Sequence, residues 1–150
     1  MPDRFDEDDV ARLRIALARI ARQLDRQTRG DSLTRTQAST LATVNHNGPL
    51  RISELADLEG VNPTMLSRIV AKLEDRGLLV RSPDPADGRA ARVETTPEGR
   101  ELTLRLRAER TRLLAERLAT MPDTGATPLL AALPALEALA AALQKPPENA

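Results

Sequence analysis

Cysteine is absent from this chain of 150 residues. Its absence excludes disulfides, zinc–thiolate sites and thiol-based redox sensing. Histidine occurs once, as His46, which is too little for a histidine-rich metal site. Phe5 is the single aromatic residue, with no Trp or Tyr. A core must therefore be built from Leu, Ala, Val and Ile. Net charge is also missing: 22 basic residues balance 22 acidic ones, so global basicity gives no hint of nucleic acid. No long hydrophobic run exists. The most apolar stretch, Leu129 to Leu143, is too short to span a bilayer and contains Pro134 and Glu137. The start of the chain is acidic (Asp3, Asp6, Glu7, Asp8, Asp9) and lacks the apolar segment of a signal peptide. These absences imply a cytoplasmic protein with no membrane partner. Enzyme chemistry finds no foothold: there is no cysteine nucleophile, Gly-rich phosphate loop, G-x-S-x-G or His–carboxylate constellation. No cofactor and no metal site are predicted, and Asp8 and Asp9 read as a helix start.

What is present is a helical composition, rich in Leu, Ala, Arg and Glu. The chain is organised around Ile52 to Leu73. Leu55, Ala56 and Leu58 give a first helix an apolar side. Glu59-Gly60-Val61 then interrupts, with Gly60 where a left-handed backbone is needed. Asn62 suits an N-cap and Pro63 the first helical position. Leu66, Ile69, Val70 and Leu73 follow at i, i+3, i+4 and i+7, one helical stripe. The opposite face carries Thr64, Arg68, Ala71 and Asp75, flanked by Ser67 and Lys72. Small and hydroxyl side chains allow close approach, and Arg68 and Lys72 reach for anions. A helix entering a DNA major groove needs this combination. An ordinary helical hairpin is the plainer reading of the same stretch. Between Asn62 and Arg92 the balance is mildly positive: Arg68, Lys72, Arg76, Arg81, Arg89 and Arg92 face Glu74, Asp75, Asp84 and Asp87.

Around this centre the other elements fall in order. Residues 1 to 6 read as frayed. Glu7 to Gln27 predicts a helix with Val10, Leu13, Leu17, Ile20 and Leu24 on one side; Ala11, Ile15, Ala18 and Ala21 widen its apolar surface. Thr28 to Leu33 reads as a linker. Thr34 caps a second helix with Gln37 at the capping-box position. That helix ends near His46-Asn47-Gly48, where an imidazolium favours the negative helix end. Pro49-Leu50-Arg51 is a short extended segment. Gly77 ends the second helix of the central pair. Leu78 to Ser82 and Ala91 to Thr95 predict two strands, joined by a polar loop from Pro83 to Gly88. Such a hairpin forms a wing whose tip can reach a minor groove. Arg89 is the best candidate there and Asp87 is expected to orient an arginine. Thr96 and Pro97 start a long helix to about Ala119, laced with six arginines. Met121 to Ala126 reads as a loop. Thr127-Pro128 then starts a last helix, Leu129 to Leu143, which Pro134 must kink or restart. Lys145 to Ala150 reads as a disordered tail. The first and last helices are too apolar to stay uncovered, which points to a second subunit.

With these elements in place, the chain from about residue 7 to 143 resembles the MarR family of bacterial transcription regulators. The most specific segments are L-S-R-I-V-A-K-L-E-D-R-G-L-L (Leu66 to Leu79), D-P-A-D-G-R (Asp84 to Arg89) and T-P-E-G-R (Thr96 to Arg100). The resemblance implies a mainly α (α+β) fold: a winged helix-turn-helix with N- and C-terminal dimerisation helices. It implies a homodimer that binds pseudo-palindromic double-stranded DNA, usually as a repressor released by an effector. Family practice places Thr64, Ser67 and Arg68 at base edges, Lys72 at phosphate and Arg89 in the minor groove, with Asn62 and Pro63 at the helix start. Many members carry a second arginine directly after the wing arginine. Here Ala90 follows Arg89 and the next is Arg92, which is also expected to bind DNA. Many relatives bind phenolic or other aromatic ligands between the dimer helices and the DNA-binding part. This chain lacks aromatic residues to stack on one, so no ligand residues are assigned.

The expected organisation is a single MarR-like domain over 1–150. Residues 34–96 form the winged lobe, and 7–28 with 97–143 the dimerisation region. Val10, Leu13, Leu17, Leu129, Leu133, Leu136, Leu139 and Leu143 are the expected dimerisation residues. The rival reading is a helical self-association module without DNA binding. It explains the Leu/Ala-rich ends but leaves the hairpin tip and the polar helix face unused.

Overall fold

A computed structural model describes residues 5–27 and 33–144. The predicted frayed start, linker and tail lie largely outside the described residues. The element order is α1 (Glu7–Gln27), α2 (Arg35–Asn47), β1 (Leu50–Arg51), α3 (Ile52–Glu59), α4 (Pro63–Asp75), β2 (Leu79–Asp84), β3 (Asp87–Thr95), α5 (Pro97–Ala119), α6 (Asp123–Ala131) and α7 (Leu133–Gln144). The three strands form one antiparallel sheet in the order β1-β3-β2. The chain divides into two compact units, Met1–Thr111 and Arg112–Ala150.

The first unit holds the core. Leu41 and Val44 of α2, Leu55 and Ala56 of α3, and Leu66, Ile69, Val70 and Leu73 of α4 are buried together. Leu33, Leu78, Leu79, Val93, Leu102 and Leu106 complete the cluster. Each leucine of this kind contributes about 1.5–3 kcal/mol on leaving water. Ala56, 1% exposed, lets α3 and α4 approach closely. The turn between them is a Schellman motif: Gly60 takes φ 64° and ψ 32°, and the Val61 N–H donates to the Ala56 carbonyl at 3.1 Å. Asn62 caps α4 by accepting the Met65 N–H at 2.8 Å. At the start of α2, Thr34 and Gln37 make the expected capping box.

A second Schellman turn ends α4. Gly77 (φ 68°) lets the Leu78 N–H reach the Leu73 carbonyl at 2.9 Å. Thr96 closes the same corner from the far side. Its hydroxyl donates to the Gly77 carbonyl at 2.6 Å and accepts the Gly99 N–H at 3.0 Å. Gly99 is buried where α5 passes the Leu78 carbonyl, and a Cβ there would overlap that oxygen. The R-G-L-L and T-P-E-G-R segments are thus two halves of one clasp.

Two boundaries differ from expectation. The predicted loop Pro83–Gly88 is mostly strand: β2 runs to Asp84, β3 begins at Asp87, and the tip is the pair Pro85-Ala86. Pro83 is tolerated because β2 is an edge strand and needs no second ladder partner. The predicted loop Met121–Ala126 is also partly helical, since α6 starts at Asp123 and Pro128 lies inside it. The break falls at Ala132 instead, so that Pro134 sits in the first turn of α7, where its missing N–H does no harm.

The second unit contains α6, α7 and the end of α5. Leu129, Leu130, Leu133, Leu139 and Leu143 are all exposed in it, and Leu136 is half-buried. In the first unit α1 likewise has no buried residue: Val10, Leu13, Leu17 and Ile20 face solvent. Among the described residues no single helix is long and apolar enough to cross a membrane. Residues 123–131 and 133–143 reach that length only as a pair bent by 48°.

Candidate nucleic-acid interface

The face of α4 opposite its buried stripe is open. Asn62, Pro63, Thr64, Arg68, Ala71 and Lys72 are exposed, and Ser67 is half-buried. Four buried apolar side chains hold this face at a fixed rotation about the helix axis. Met65, 47% exposed, adds a feature that the sequence reading passed over. It lies one turn from Arg68 and two turns from Lys72 on the same flank, and an exposed thioether there suits a thymine methyl. The signal was in the sequence, since Met65 falls outside the i, i+3, i+4, i+7 stripe.

The wing brings Arg89 out by a register change. Pro83 pairs with Ala91 but Asp84 pairs with Asp87, so Gly88, Arg89 and Ala90 have no opposite number on β2. This bulge re-aims the strand and leaves Arg89 exposed. Asp87 shapes it by accepting the Arg89 backbone N–H at 3.1 Å. Its carboxylate orients the arginine through the main chain rather than through a guanidinium pair.

The arginines divide into two groups. Arg81 pairs with Glu74 at 2.9 Å and so ties β2 to α4. Arg92 stands 3.3 Å from Asp84, on the inside of the wing base. That placement gives Arg92 a structural partner, unlike the other expected DNA-binding cations. Among the described residues no carboxylate pairs with Arg68, Lys72 or Arg89. Three exposed cations without an internal anion make a surface ready for phosphate.

Asp84 is the residue that the sequence concealed. Its side chain is fully buried within the wing base. One oxygen accepts the Arg51 Nε–H, and the other accepts the Ala86 N–H at 2.9 Å. The Ala86 N–H and the Arg51 guanidinium hold its carboxyl below the usual value, against the opposing effect of desolvation. In return the hydrogen bond and charge of Asp84 raise the Arg51 guanidinium. Thirty-three residues separate the partners, and nothing local in the sequence marks the pair. Among the described residues no group of three His, Asp or Glu side chains is placed to hold a metal.

Comparison with known proteins agrees with this geometry. The MarR family model matches residues 33–91. An uncharacterized HTH-type transcriptional regulator of Mycobacterium bovis is 37% identical over 109 residues, which cover 73% of this chain and 76% of that protein. The HTH-type transcriptional repressor NicR of Pseudomonas putida is 34% identical over 90 residues, covering 60% of this chain and 57% of that one. Among solved structures, a transcriptional regulator from Thermotoga maritima superposes with a TM-score of 0.76 at 25% identity, over 94% of this chain and 100% of that one. With its helix-turn-helix, wing and open cationic face, the chain is no enzyme and belongs to the MarR family of transcriptional regulators.

Proposed function

We propose that the protein is a homodimeric, cytoplasmic repressor that binds a pseudo-palindromic operator and is released by an effector. The observation that carries the DNA reading is the α4 face, polar and cationic above a buried apolar stripe. In this reading Thr64, Ser67 and Arg68 meet base edges, Lys72 meets phosphate, and Arg89 enters the flanking minor groove. Asn62 and Pro63 fix the start of the helix, Asp87 shapes the tip, and Arg92 braces the wing from inside. Residues 34–96 form the reading lobe.

Dimerisation follows from the uncovered leucines. Val10, Leu13 and Leu17 of α1 and Leu129, Leu133, Leu136, Leu139 and Leu143 of α6 and α7 need a second copy to leave water. Residues 7–28 and 97–143 thus form the dimerisation region. Two copies related by a two-fold axis would place their α4 helices in successive major grooves, about 34 Å apart. An effector acts by binding better to a dimer arrangement with a different spacing. The repressor role is supported by the similarity to NicR.

Selection of bound duplexes from a random DNA pool at about 150 mM salt tests this reading, because non-specific binding is weak there. The expected result is an inverted repeat with half-sites about ten base pairs apart. Failure of the folded, dimeric protein to enrich any duplex would favour the self-association module instead.

A further inference from the structure

Arg51 and Arg92 are directly opposite one another across β1 and β3. Like charges so placed repel, and the arrangement is stable only with an anion between or beside them. Asp84 supplies that anion from β2, the third strand. The acid cannot itself serve DNA, since a carboxylate repels phosphate and Asp84 is buried. Its burial must therefore serve something within the protein.

The bonds around it connect two DNA-facing parts. The Arg51 backbone N–H donates to Glu54 Oε2 at 2.7 Å and so closes the first turn of α3. The Arg51 side chain leaves that turn and grips Asp84 at the wing base. Asp84 in turn holds the Ala86 N–H in the tip, one residue before Asp87, which holds the Arg89 N–H. A continuous path thus runs from the first helix of the helix-turn-helix to the wing arginine.

We propose that Arg51, acting through Asp84, is a positioning residue that sets the pose of the wing so that Arg89 reaches the minor groove. The proposal rests on the DNA reading above and gives Arg51 no DNA contact of its own. Effects of Arg51 and Arg89 on binding then share one route and cannot multiply.

The test uses the full-length dimer and an operator duplex recovered by selection. Affinity and hydroxyl-radical footprints are measured for wild type, Arg51→Gln, Arg89→Ala and the double variant. Arg51→Gln is expected to weaken binding roughly three- to tenfold and to erase the flanking minor-groove protection while the major-groove contacts persist. The double variant is expected to bind no more weakly than Arg89→Ala alone. Arg51→Lys keeps the charge beside Asp84 and should restore part of the protection; it also carries the cycle if Arg51→Gln fails to fold. Losses that multiply, from either Arg51 variant, would overturn the positioning role and mark Arg51 as a direct contact. Unchanged affinity in a folded Arg51→Gln would overturn it as well. A wild-type protein that selects no duplex removes the DNA reading and this proposal together, whereas the other outcomes leave the DNA reading standing.

Discussion

Helix α4 and helix α7 show opposite relations between composition and burial. Polar and charged side chains make up about half of α4, yet four of its residues are buried. By contrast α7 is almost entirely Leu and Ala, yet residues 133–143 include none that is buried. The difference lies in what faces each helix. Leucines at the right period in α4 meet α2, α3 and the sheet within the same compact unit. In α7 Leu133, Leu139 and Leu143 stay exposed, as do Leu13 and Leu17 in α1. Hydrophobic content therefore says that a helix will be covered, and periodicity with a facing partner says by what. The lobe around α4 folds on itself, and in the function proposed above a second copy covers the terminal helices.

The sharpest way to break that comparison is to charge the uncovered surface. Leu13→Glu with Leu17→Glu should weaken the dimer by on the order of 4 kcal/mol, about a thousandfold in dissociation constant. Sedimentation should then show monomers, while circular dichroism shows an unchanged helical lobe. A variant that stays dimeric would place the interface elsewhere. A buried change should do the reverse. Gly99→Ala forces a methyl onto the Leu78 carbonyl at the clasp between α4 and α5. It should cost about 3 kcal/mol of unfolding free energy, measured by denaturation, with the self-association of any folded fraction retained. Unaltered stability would mean that α5 can retreat from β2.

The same division governs how much could be read from the sequence. The span of α1, the cap pairs Thr34/Gln37 and Asn62/Pro63, the turn at Gly60 and the stripe from Leu66 to Leu73 were legible, because each rests on residues within one or two helical turns. The wing tip was not. Pro83, Asp84 and Asp87 look like loop chemistry, and only the edge position of β2 allows them in strands. The start of α6 was hidden for a similar reason, since Pro128 reads as a helix start yet lies within the helix. Of the expected site residues on α4, Pro63, Thr64, Arg68 and Lys72 are exposed as their period required, and Ser67 is half-buried. Arg92 turns inward because a carboxylate eight residues back is buried beside it. Pairings across such distances depend on tertiary placement, which local pattern does not carry.

Within the lobe, the α4 face separates reading from gripping. Arg68→Ala should lose about 1–3 kcal/mol on the selected operator and relax the preference at one base pair. Lys72→Ala should weaken all duplexes about equally and lower the slope of log affinity against log salt by roughly one. Titrations on the operator and on a scrambled duplex at several salt concentrations distinguish them. An Arg68→Ala loss that is equal on both duplexes would assign it to phosphate instead. Either result leaves the terminal helices untouched, since the proposed dimer does not use this face.

The smallest expected effect is in acid, and it concerns the wing alone. Asp84 titrates below its ordinary value of 3.8 because the Ala86 N–H and the Arg51 guanidinium favour the carboxylate. A group whose folded pKa is depressed adds stability above its unfolded pKa and loses it as pH falls through the folded value. The thermal midpoint of wild type should therefore exceed that of Asp84→Asn by a constant margin from about pH 8 to about pH 5. The margin should shrink only below about pH 4, as the carboxylate takes up a proton and releases both arginines. Desolvation pushes the other way, because the side chain is fully buried. A margin that already closes near pH 6 would show desolvation winning over the two donors, and the Asp84 pair would then loosen within the physiological range.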